Sequence, residues 1–272
     1  MSEVRWVAVL AAALASTMLP VAWATAAELD CVIQPSEVVA ISSPVQGLVE
    51  RVTVDRGDLV KEGMELVVLE SSTERAAVAV ARARAAQQSA IRSSAVRMDF
   101  GQRRFVRTDE LYKQNLIPLK DMDEAETAKV LAEVAVLEAE ENHLLAKLEL
   151  ERAQAALELR TIRSPLTGVV VERMLSVGES AGRDPIMKLA RLDPLRVEVF
   201  APVTLLGKLV PGMRGLVRPD APVSGLFGAR ITVVDRVADA ASGTFGVRLE
   251  LPNPDYRLPG GLRCKIQFDD RW

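Results

Sequence analysis

The chain has 272 residues and a formal net charge of −3. This balance of charge gives no electrostatic case for nucleic-acid binding. Aromatic residues make up only 4% of the sequence. Because enclosed ligand pockets are lined largely by apolar and aromatic side chains, we expect binding through large exposed surfaces instead.

The first 26 residues have the pattern of a secretory signal peptide. Arg5 precedes an apolar run at residues 6–14, and the small residues Ala22, Ala24 and Ala26 follow with the spacing of a cleavage site. The apolar run is shorter than the roughly 20 residues that a membrane span needs. We therefore predict a cleaved signal peptide at residues 1–26 and export from the cytoplasm, with an uncleaved membrane anchor as the alternative.

Export makes the two cysteines informative, because an oxidising compartment permits disulfides. Cys31 lies near the start of the predicted mature chain, and Cys264 lies in the last predicted strand. A bridge would join the two ends of the protein if the Cα atoms come within about 7 Å. Two buried free thiols are the alternative, and we favour the disulfide.

One motif occurs twice, 121 residues apart (164 minus 43). The first copy reads SPVQG at residues 43–47 and is followed by Gly57, and the second reads SPLTG at residues 164–168 and is followed by Gly178. Short β-branched runs bounded by Gly and Asp turns surround both copies, as in strands. Neither half has enough strands to close a core, so we predict one small β domain in two pieces.

The two pieces, residues 38–72 and 162–192, enclose an insertion at residues 73–161. Two stretches rich in Ala, Leu, Glu, Arg and Gln fill this insertion, and Gly101 is their only internal glycine. A proline separates them at residues 115–118. Two uninterrupted arms of matching length predict an antiparallel α-helical hairpin with its tip at this break.

The second arm carries large apolar residues at a spacing of four and three: Val130, Val134, Leu137, Leu144 and Leu148. We predict that this stripe is the coiled-coil seam against the first arm. In the first arm the corresponding positions are Val78, Ala81 and Ala85, which predicts close packing through small residues. Residues 73–117 carry a net charge of +5 and residues 118–160 a net charge of −6, which favours their pairing.

Residues 193–272 alternate between apolar and polar side chains and are divided by Pro and Gly turn clusters. Several short strands at such spacing predict a small β-barrel, which we expect a strand at residues 27–37 to join. The predicted fold class is α+β, elongated and modular. It combines a split β domain, an inserted coiled-coil hairpin and a small C-terminal barrel.

This order of parts resembles the membrane fusion protein family, the HlyD-like periplasmic adaptor subunits of tripartite efflux pumps and secretion systems. The two SPxxG halves look like the family's lipoyl domain, and residues 239–248, 251–255 and 258–261 look like its β-barrel. The resemblance implies a non-enzymatic adaptor without a cofactor, associated peripherally with the inner membrane. It also implies a homo-oligomeric ring that links a proton-driven or ATP-driven inner-membrane transporter to an outer-membrane channel.

In that family the hairpin tip docks onto the channel through an Arg, a Leu four residues later and a Ser seven residues beyond. Arg107 and Leu111 occupy the first two positions here, but the third is Pro118. We therefore expect docking to use Arg107 and Leu111 together with Asn115, Leu116 and Pro118. Family members that serve large proton-driven pumps carry a membrane-proximal domain after the barrel, whereas only residues 268–272 remain here, so the barrel is expected to contact the transporter.

Two other functions compete with the adaptor. A biotinyl or lipoyl carrier needs a lysine on the exposed turn between the two halves, but the insertion begins there, at residues 71–74. Lys188 follows Met187 as in a biotinylation dipeptide, yet it lies in the predicted closing strand. An exported structural coiled-coil protein would explain the hairpin but not the split domain. His143, the only histidine, is expected to be exposed and does not make a metal site or a catalytic triad alone.

Overall fold

The computed structural model describes residues 28–268, so the predicted signal peptide lies outside the described residues. This range contains three α-helices: α1 (Ser72–Ala86), α2 (Ser89–Lys113) and α3 (Leu119–Glu158). The first seven strands are β1 (Leu29–Ser42), β2 (Gly47–Val52), β3 (Leu59–Val60), β4 (Glu65–Leu69), β5 (Thr161–Arg163), β6 (Gly168–Arg173) and β7 (Ser180–Ala181). The remaining five are β8 (Pro185–Pro202), β9 (Arg214–Pro219), β10 (Phe227–Asp239), β11 (Thr244–Leu251) and β12 (Leu262–Phe268).

The described chain divides into two compact units. We call residues 34–196 with 252–260 the split unit, and residues 28–33, 197–251 and 261–268 the terminal unit. The unit boundaries fall inside β1 and β8, which are long continuous strands. The domain boundaries predicted after residues 37 and 192 also fall inside these strands and stay predictions.

In the split unit the two halves of the β domain share one hydrophobic core. Strand β2 pairs with β7, and β3 pairs with β6, so strands of one half hydrogen-bond to strands of the other. The core draws on both halves: Val49, Val60, Leu66 and Leu69 from the first, and Leu166, Val170, Ala181 and Met187 from the second. Neither half buries its apolar side chains without the other.

The shared core is accompanied by hydrogen bonds that repeat with the motif spacing of 121 residues. Main-chain amides donate across the two halves at 2.8–2.9 Å: Gly57 to Val170, Gly178 to Val49, Val49 to Glu179 and Val170 to Asp58. Each of these first-half residues therefore makes the hydrogen bond that its counterpart, 121 residues later, makes in the second half. This pseudo-twofold arrangement explains why both copies keep the same distance to their second glycine.

The serine of each motif closes its own turn. The buried Ser43 hydroxyl donates to the Val45 carbonyl at 2.5 Å, and the buried Ser164 hydroxyl donates to the Leu166 carbonyl at 2.6 Å. At Gly168 an added Cβ would lie 2.2 Å from the Ala190 carbonyl oxygen of β8. The glycine is required because the chain passes too close to a neighbouring strand for any side chain.

The helical segment is inserted between β4 and β5, which pair with each other and so hold its two ends together. Helix α3 packs against both α1 and α2. The first arm, predicted as one helix, is interrupted at Gln87, whose ψ of 120° is extended, and at Gln88. Helix α2 restarts at Ser89, a residue whose hydroxyl competes for backbone groups and so favours helix ends over helix interiors.

The predicted coiled-coil seam is wrong for the second arm. The stripe from Val130 to Leu148 that was assigned to it is 43–58% exposed. The buried residues of α3 are instead Ala125 and Ala139, and an added Cβ at Gly101 on α2 would lie 3.5 Å from the Lys129 Cα atom. Small residues allow the helix backbones to approach closely, which turns the larger side chains outwards.

The small-residue packing predicted for the first arm agrees with the burial of Val78 and Ala81. The expectation that His143 is exposed is wrong, because its side chain is half-buried. Its Nδ1 atom is covered and has no hydrogen-bond partner among residues 28–268. His143 lies on α3 between Lys129, which is opposite Gly101 of α2, and Glu149, which pairs with Arg84 of α1. It is therefore close to the break between α1 and α2.

In the terminal unit, β12 lies between β1 and β9, and β10, β11 and β8 follow in that order. Strand β8 also pairs with β1, so these six strands form a closed circle of pairings. Cys31 lies directly opposite Cys264 in the pairing of β1 with β12, and the two are joined by a disulfide with Cα atoms 4.9 Å apart. Of the two alternatives left by the sequence, the structure therefore has the disulfide.

Candidate docking site at the helical tip

The turn between α2 and α3 is a Schellman motif, in which a residue with left-handed backbone ends a helix. Asn115 has this conformation, with φ of 56°. Its amide donates to the Tyr112 carbonyl at 2.9 Å, and the Leu116 amide donates to the Leu111 carbonyl at 3.0 Å. Asparagine suits this position because it tolerates left-handed backbone better than most residues with a side chain.

This turn places apolar side chains at the end of the helical segment. Leu111 is 42% exposed, Leu116 is 65% exposed, and Leu119 at the start of α3 is 56% exposed. The Schellman hydrogen bond brings Leu116 back over Leu111. An exposed cluster of leucines on a defined turn is a feature of protein-binding surfaces, and we call Leu111, Leu116 and Leu119 the tip cluster.

Charged groups of α2 border the tip cluster. Arg107 is exposed, lies one helical turn before Leu111, and has no salt bridge within the described range 28–268. Lys113 pairs with Asp109 at 2.6 Å. The hydrogen bond from this ammonium to Asp109 raises the pKa of Lys113 above its ordinary value. Of these two cations, Arg107 is the one available to a carboxylate or carbonyl of a partner.

Pro118 begins the second arm from the position just before α3. Its φ of −73° and ψ of 157° are extended, and its carbonyl accepts the Asp121 amide at 3.1 Å. Proline has no hydroxyl and cannot cap the helix as serine does. The structure thus brings Arg107, Leu111, Asn115, Leu116 and Pro118 to one end of the helical segment.

Sequence reasoning missed Leu119 and the groove beside it. Leu119, Asp123, Thr127 and Leu131 line a shallow groove of about 540 Å³ along the first turns of α3. Their spacing of four residues was visible in the sequence. Nothing there indicated that the face would be left uncovered, because a stripe of this kind is equally typical of an intramolecular seam.

A carrier of a prosthetic group would need a lysine on an exposed turn between the two β halves. The connection between the two β halves is the helical segment itself, which begins at Ser72 beside the buried Ser71. Lys188 lies within β8, where its ammonium pairs with Glu172 at 3.0 Å. Among residues 28–268 there is no group of three or more His, Cys, Asp or Glu side chains that could hold a metal ion. No helix in this range is long and apolar enough to cross a membrane.

Residues 37–189 match the family model described as CzcB-like, barrel-sandwich hybrid domain. This match covers more than half of the chain, and the chain belongs to that family. The two halves that surround the helical insertion, with their shared core, are therefore the two parts of a barrel-sandwich hybrid domain.

Curated relatives extend the similarity beyond this domain. The chain is 27% identical over 252 residues to an uncharacterised protein of Haemophilus influenzae, covering 92% of this chain and 59% of the relative. It is 26% identical to the multidrug resistance protein MdtE of Escherichia coli, covering 87% and 62%. It is also 26% identical to the macrolide export protein MacA of Yersinia pestis, covering 85% and 64%. The chain thus spans about 60% of the length of these relatives.

Solved structures share the fold at lower identity. MacA from Actinobacillus actinomycetemcomitans superposes with a TM-score of 0.74 at 21% identity, covering 89% of this chain and 78% of that chain. The membrane fusion protein Spr0693 from Streptococcus pneumoniae superposes with a TM-score of 0.61 at 17% identity, covering 90% and 100%. At these identities the similarity establishes the fold.

Proposed function

We propose that this protein is a periplasmic adaptor that links an inner-membrane transporter to an outer-membrane channel for efflux or secretion. The observation that carries this proposal is the tip cluster, an exposed apolar surface at the end of a long helical pair anchored in a barrel-sandwich hybrid domain. Such a surface suits a protein partner and offers no enclosed site for a substrate. We propose that this role is non-enzymatic and needs no cofactor.

The similar proteins support the same function. MdtE is named for multidrug resistance, MacA for macrolide export, and Spr0693 is described as a membrane fusion protein. We infer that the chain is exported by the signal peptide at residues 1–26 and acts peripherally at the inner membrane. In this proposal α1, α2 and α3 form the coiled-coil hairpin, and the circle of six strands in the terminal unit is the C-terminal β-barrel, which contacts the transporter.

We further propose that copies of the chain assemble into a ring through their helical segments. The large apolar stripe of α3, from Val130 to Leu148, is exposed and has heptad spacing, so it is suited to a second helix. Residues 73–117 carry 9 basic and 4 acidic side chains, and residues 118–160 carry 5 and 11. The acidic second arm of one copy therefore complements the basic first arm of the next.

The docking role of the tip can be tested by cross-linking in living cells. Replacing Arg107 or Leu111 by Asp places a carboxylate where the proposal needs a cation or an apolar contact. We expect either change to abolish cross-linking to an outer-membrane channel while the far-ultraviolet circular dichroism stays unchanged. Arg97→Asp, an equally exposed site on the same helix but away from the tip, is the matched control. Unaltered cross-linking in both tip variants would rule out this docking site.

Affinity purification from cross-linked envelopes separates the adaptor from the competing functions. Recovery of an inner-membrane transporter supports the adaptor. Recovery of a carboxylase or an acyltransferase would instead support a biotinyl or lipoyl carrier, and recovery of neither membrane partner would leave a structural coiled-coil protein as the better explanation.

A further inference from the structure

The base of the helical segment contains a side chain that contacts two separate parts of the split unit. Arg160 follows the end of α3, and one guanidinium nitrogen donates to Glu74 in the first turn of α1 at 2.6 Å. Another guanidinium nitrogen donates to the carbonyl of Gln46 at 3.0 Å. Gln46 belongs to the first SPxxG turn, so this one residue connects both ends of the helical segment to the β domain.

The Arg160–Glu74 pair differs from the other ion pairs of the described chain in its burial. Its side chains are 22% and 18% exposed, whereas the Arg84–Glu149 pair, which joins the same two helices further out, is 64% and 52% exposed. Exposed pairs contribute little because water screens them and long side chains lose entropy. A partly buried pair with an additional hydrogen bond holds its geometry better, because each lost partner leaves a poorly solvated charge.

The first SPxxG motif is shaped to receive this guanidinium. An added Cβ at Gly47 would lie 2.6 Å from the Arg160 Nη1 atom, which is closer than any real contact permits. No left-handed backbone is required of Gly47, since its φ does not lie in that region. The missing side chain at Gly47 therefore leaves the space that the flexible end of Arg160 fills, and an added Cβ there would also lie 3.3 Å from the Leu69 Cδ1 atom.

We propose that Arg160 is a positioning residue that sets the direction in which the helical segment leaves the β domain. Its planar fork donates to Glu74 and Gln46 from two different nitrogens, a fixed geometry that a lysine ammonium does not offer. Without it, the pairing of β4 with β5 still joins the two ends of the helical segment, but the side-chain link from Glu74 to the SPxxG turn is lost. The consequence for docking rests on the proposed function, whereas the effect on direction does not.

The direction can be measured on the purified, disulfide-bonded protein. Spin labels at Gln102→Cys on α2 and Arg183→Cys in the β domain, both exposed sites, report their separation by pulsed electron paramagnetic resonance. We expect Arg160→Gln to broaden the distance distribution, Arg160→Lys to restore it only in part, and Arg84→Gln to leave it unchanged. An unchanged distribution in Arg160→Gln would overturn the proposal.

A substitution at Gly47 disturbs the same Arg160 contact without removing a charge. Gly47→Ala should displace the guanidinium and broaden the distribution as Arg160→Gln does. Gly182→Ala is its control, because the added Cβ would meet only the Gln46 Cγ atom at 3.9 Å. Equal distributions in the two alanine variants would contradict the role given to Gly47. Should Arg160→Gln fail to fold, this pair of variants still decides the proposal.

The link to docking is tested separately, by cross-linking of the Arg160→Gln variant to the outer-membrane channel. Loss of the cross-link together with a broadened distribution supports the positioning role. A broadened distribution with full cross-linking would overturn the link from direction to docking, while the effect of Arg160 on direction and the adaptor function would both stand. If the wild-type protein itself gives no channel cross-link, the proposed function fails, and the distance measurement still tests Arg160.

Discussion

At the scale of single residues, the repeated motif places two glycines in equivalent strained turns. Gly57 has φ of 92° and Gly178 has φ of 89°, both in the left-handed region that only glycine adopts without cost. Their amides make the reciprocal hydrogen bonds to Val170 and Val49. The two halves therefore depend on backbone geometry at the same two points.

We predict that Gly57→Ala and Gly178→Ala each lower the free energy of unfolding by about 1 kcal/mol. The effects should be similar because the two sites are equivalent, and no neighbour lies within 4 Å of the added Cβ at either one. Urea unfolding measures the change, with Gly182→Ala as the unstrained control. A large effect at one site and none at the other would contradict the equivalence.

Asp55, in the first half of the β domain, contacts Arg173 in the second half. The hydrogen bond from the Arg56 amide, and then the Arg173 guanidinium at 3.1 Å, hold the pKa of its carboxyl below the ordinary value of 3.8. A depressed pKa means that this carboxylate stabilises the folded state above its unfolded pKa. That contribution is lost as the pH falls through the folded pKa.

We predict that Arg173→Gln raises the Asp55 pKa only part of the way to 3.8, because the hydrogen bond from the Arg56 amide, the largest single cause of the lowered pKa, remains. Carboxylate chemical shifts followed by nuclear magnetic resonance during an acid titration report this value. Arg163→Gln is the control, since Arg163 donates to the Gly63 carbonyl and not to Asp55. A return of the pKa to 3.8 in Arg173→Gln would show that the guanidinium acts alone.

At the scale of elements, α3 has two faces with different roles. Its alanine face packs against α1 and α2, and its large apolar stripe is exposed. Burying such a stripe against a second copy would contribute about 25 cal/mol for each Å² of apolar area removed from water, and the entropic cost of association is subtracted from this gain. The exposed stripe is therefore the element that the ring proposal needs.

We predict that Leu144→Glu combined with Leu148→Glu lowers the oligomeric state without unfolding α3, because both side chains are already exposed in one copy. Analytical ultracentrifugation measures the association, and circular dichroism checks the helix content. Asn142→Glu with Gln154→Glu, at exposed sites of the same helix outside the stripe, adds the same two carboxylates and is the control. An unchanged oligomeric state in the double Glu variant would exclude this stripe from the interface.

At the scale of the whole molecule, the disulfide joins residues 233 positions apart. Cys31 and Cys264 are both buried, and the bond connects the first described strand to the last. Cross-linking distant residues stabilises a fold mainly by restricting the unfolded chain. The bond therefore acts on the stability of the terminal unit, and α1, α2 and α3 lie outside that unit.

We predict that Cys31→Ser with Cys264→Ser lowers the free energy of unfolding of the terminal unit by about 2–4 kcal/mol. Hydrogen exchange localises the loss, which should fall on the strands of the terminal unit and be absent from α1, α2 and α3. Treatment of the wild-type protein with a reductant provides a control that changes no side chain volume. Equal protection in oxidised and reduced protein would contradict a stabilising role for the bond.

The sequence by itself determined the split domain, the helical insertion and the position of the tip. These features depend on local signals: a repeated turn motif, runs of helix-forming residues, and a break at residues 115–118. The family match at residues 37–189 agrees with this reading of the two halves. Local signals of this kind are readable because each is set by residues close together in the chain.

Only the tertiary structure decided which helix face is covered, where the first arm breaks, and what Arg160 contacts. Heptad spacing indicated an apolar stripe on α3 but did not identify its partner. Because Gly101 permits a close approach of the helix backbones, small residues form the contact between the helices instead. Arg160 lies 114 residues from Gln46 and 86 from Glu74. Contacts over such distances depend on how the strands pair and how closely backbones pack, and no local pattern in the sequence encodes them.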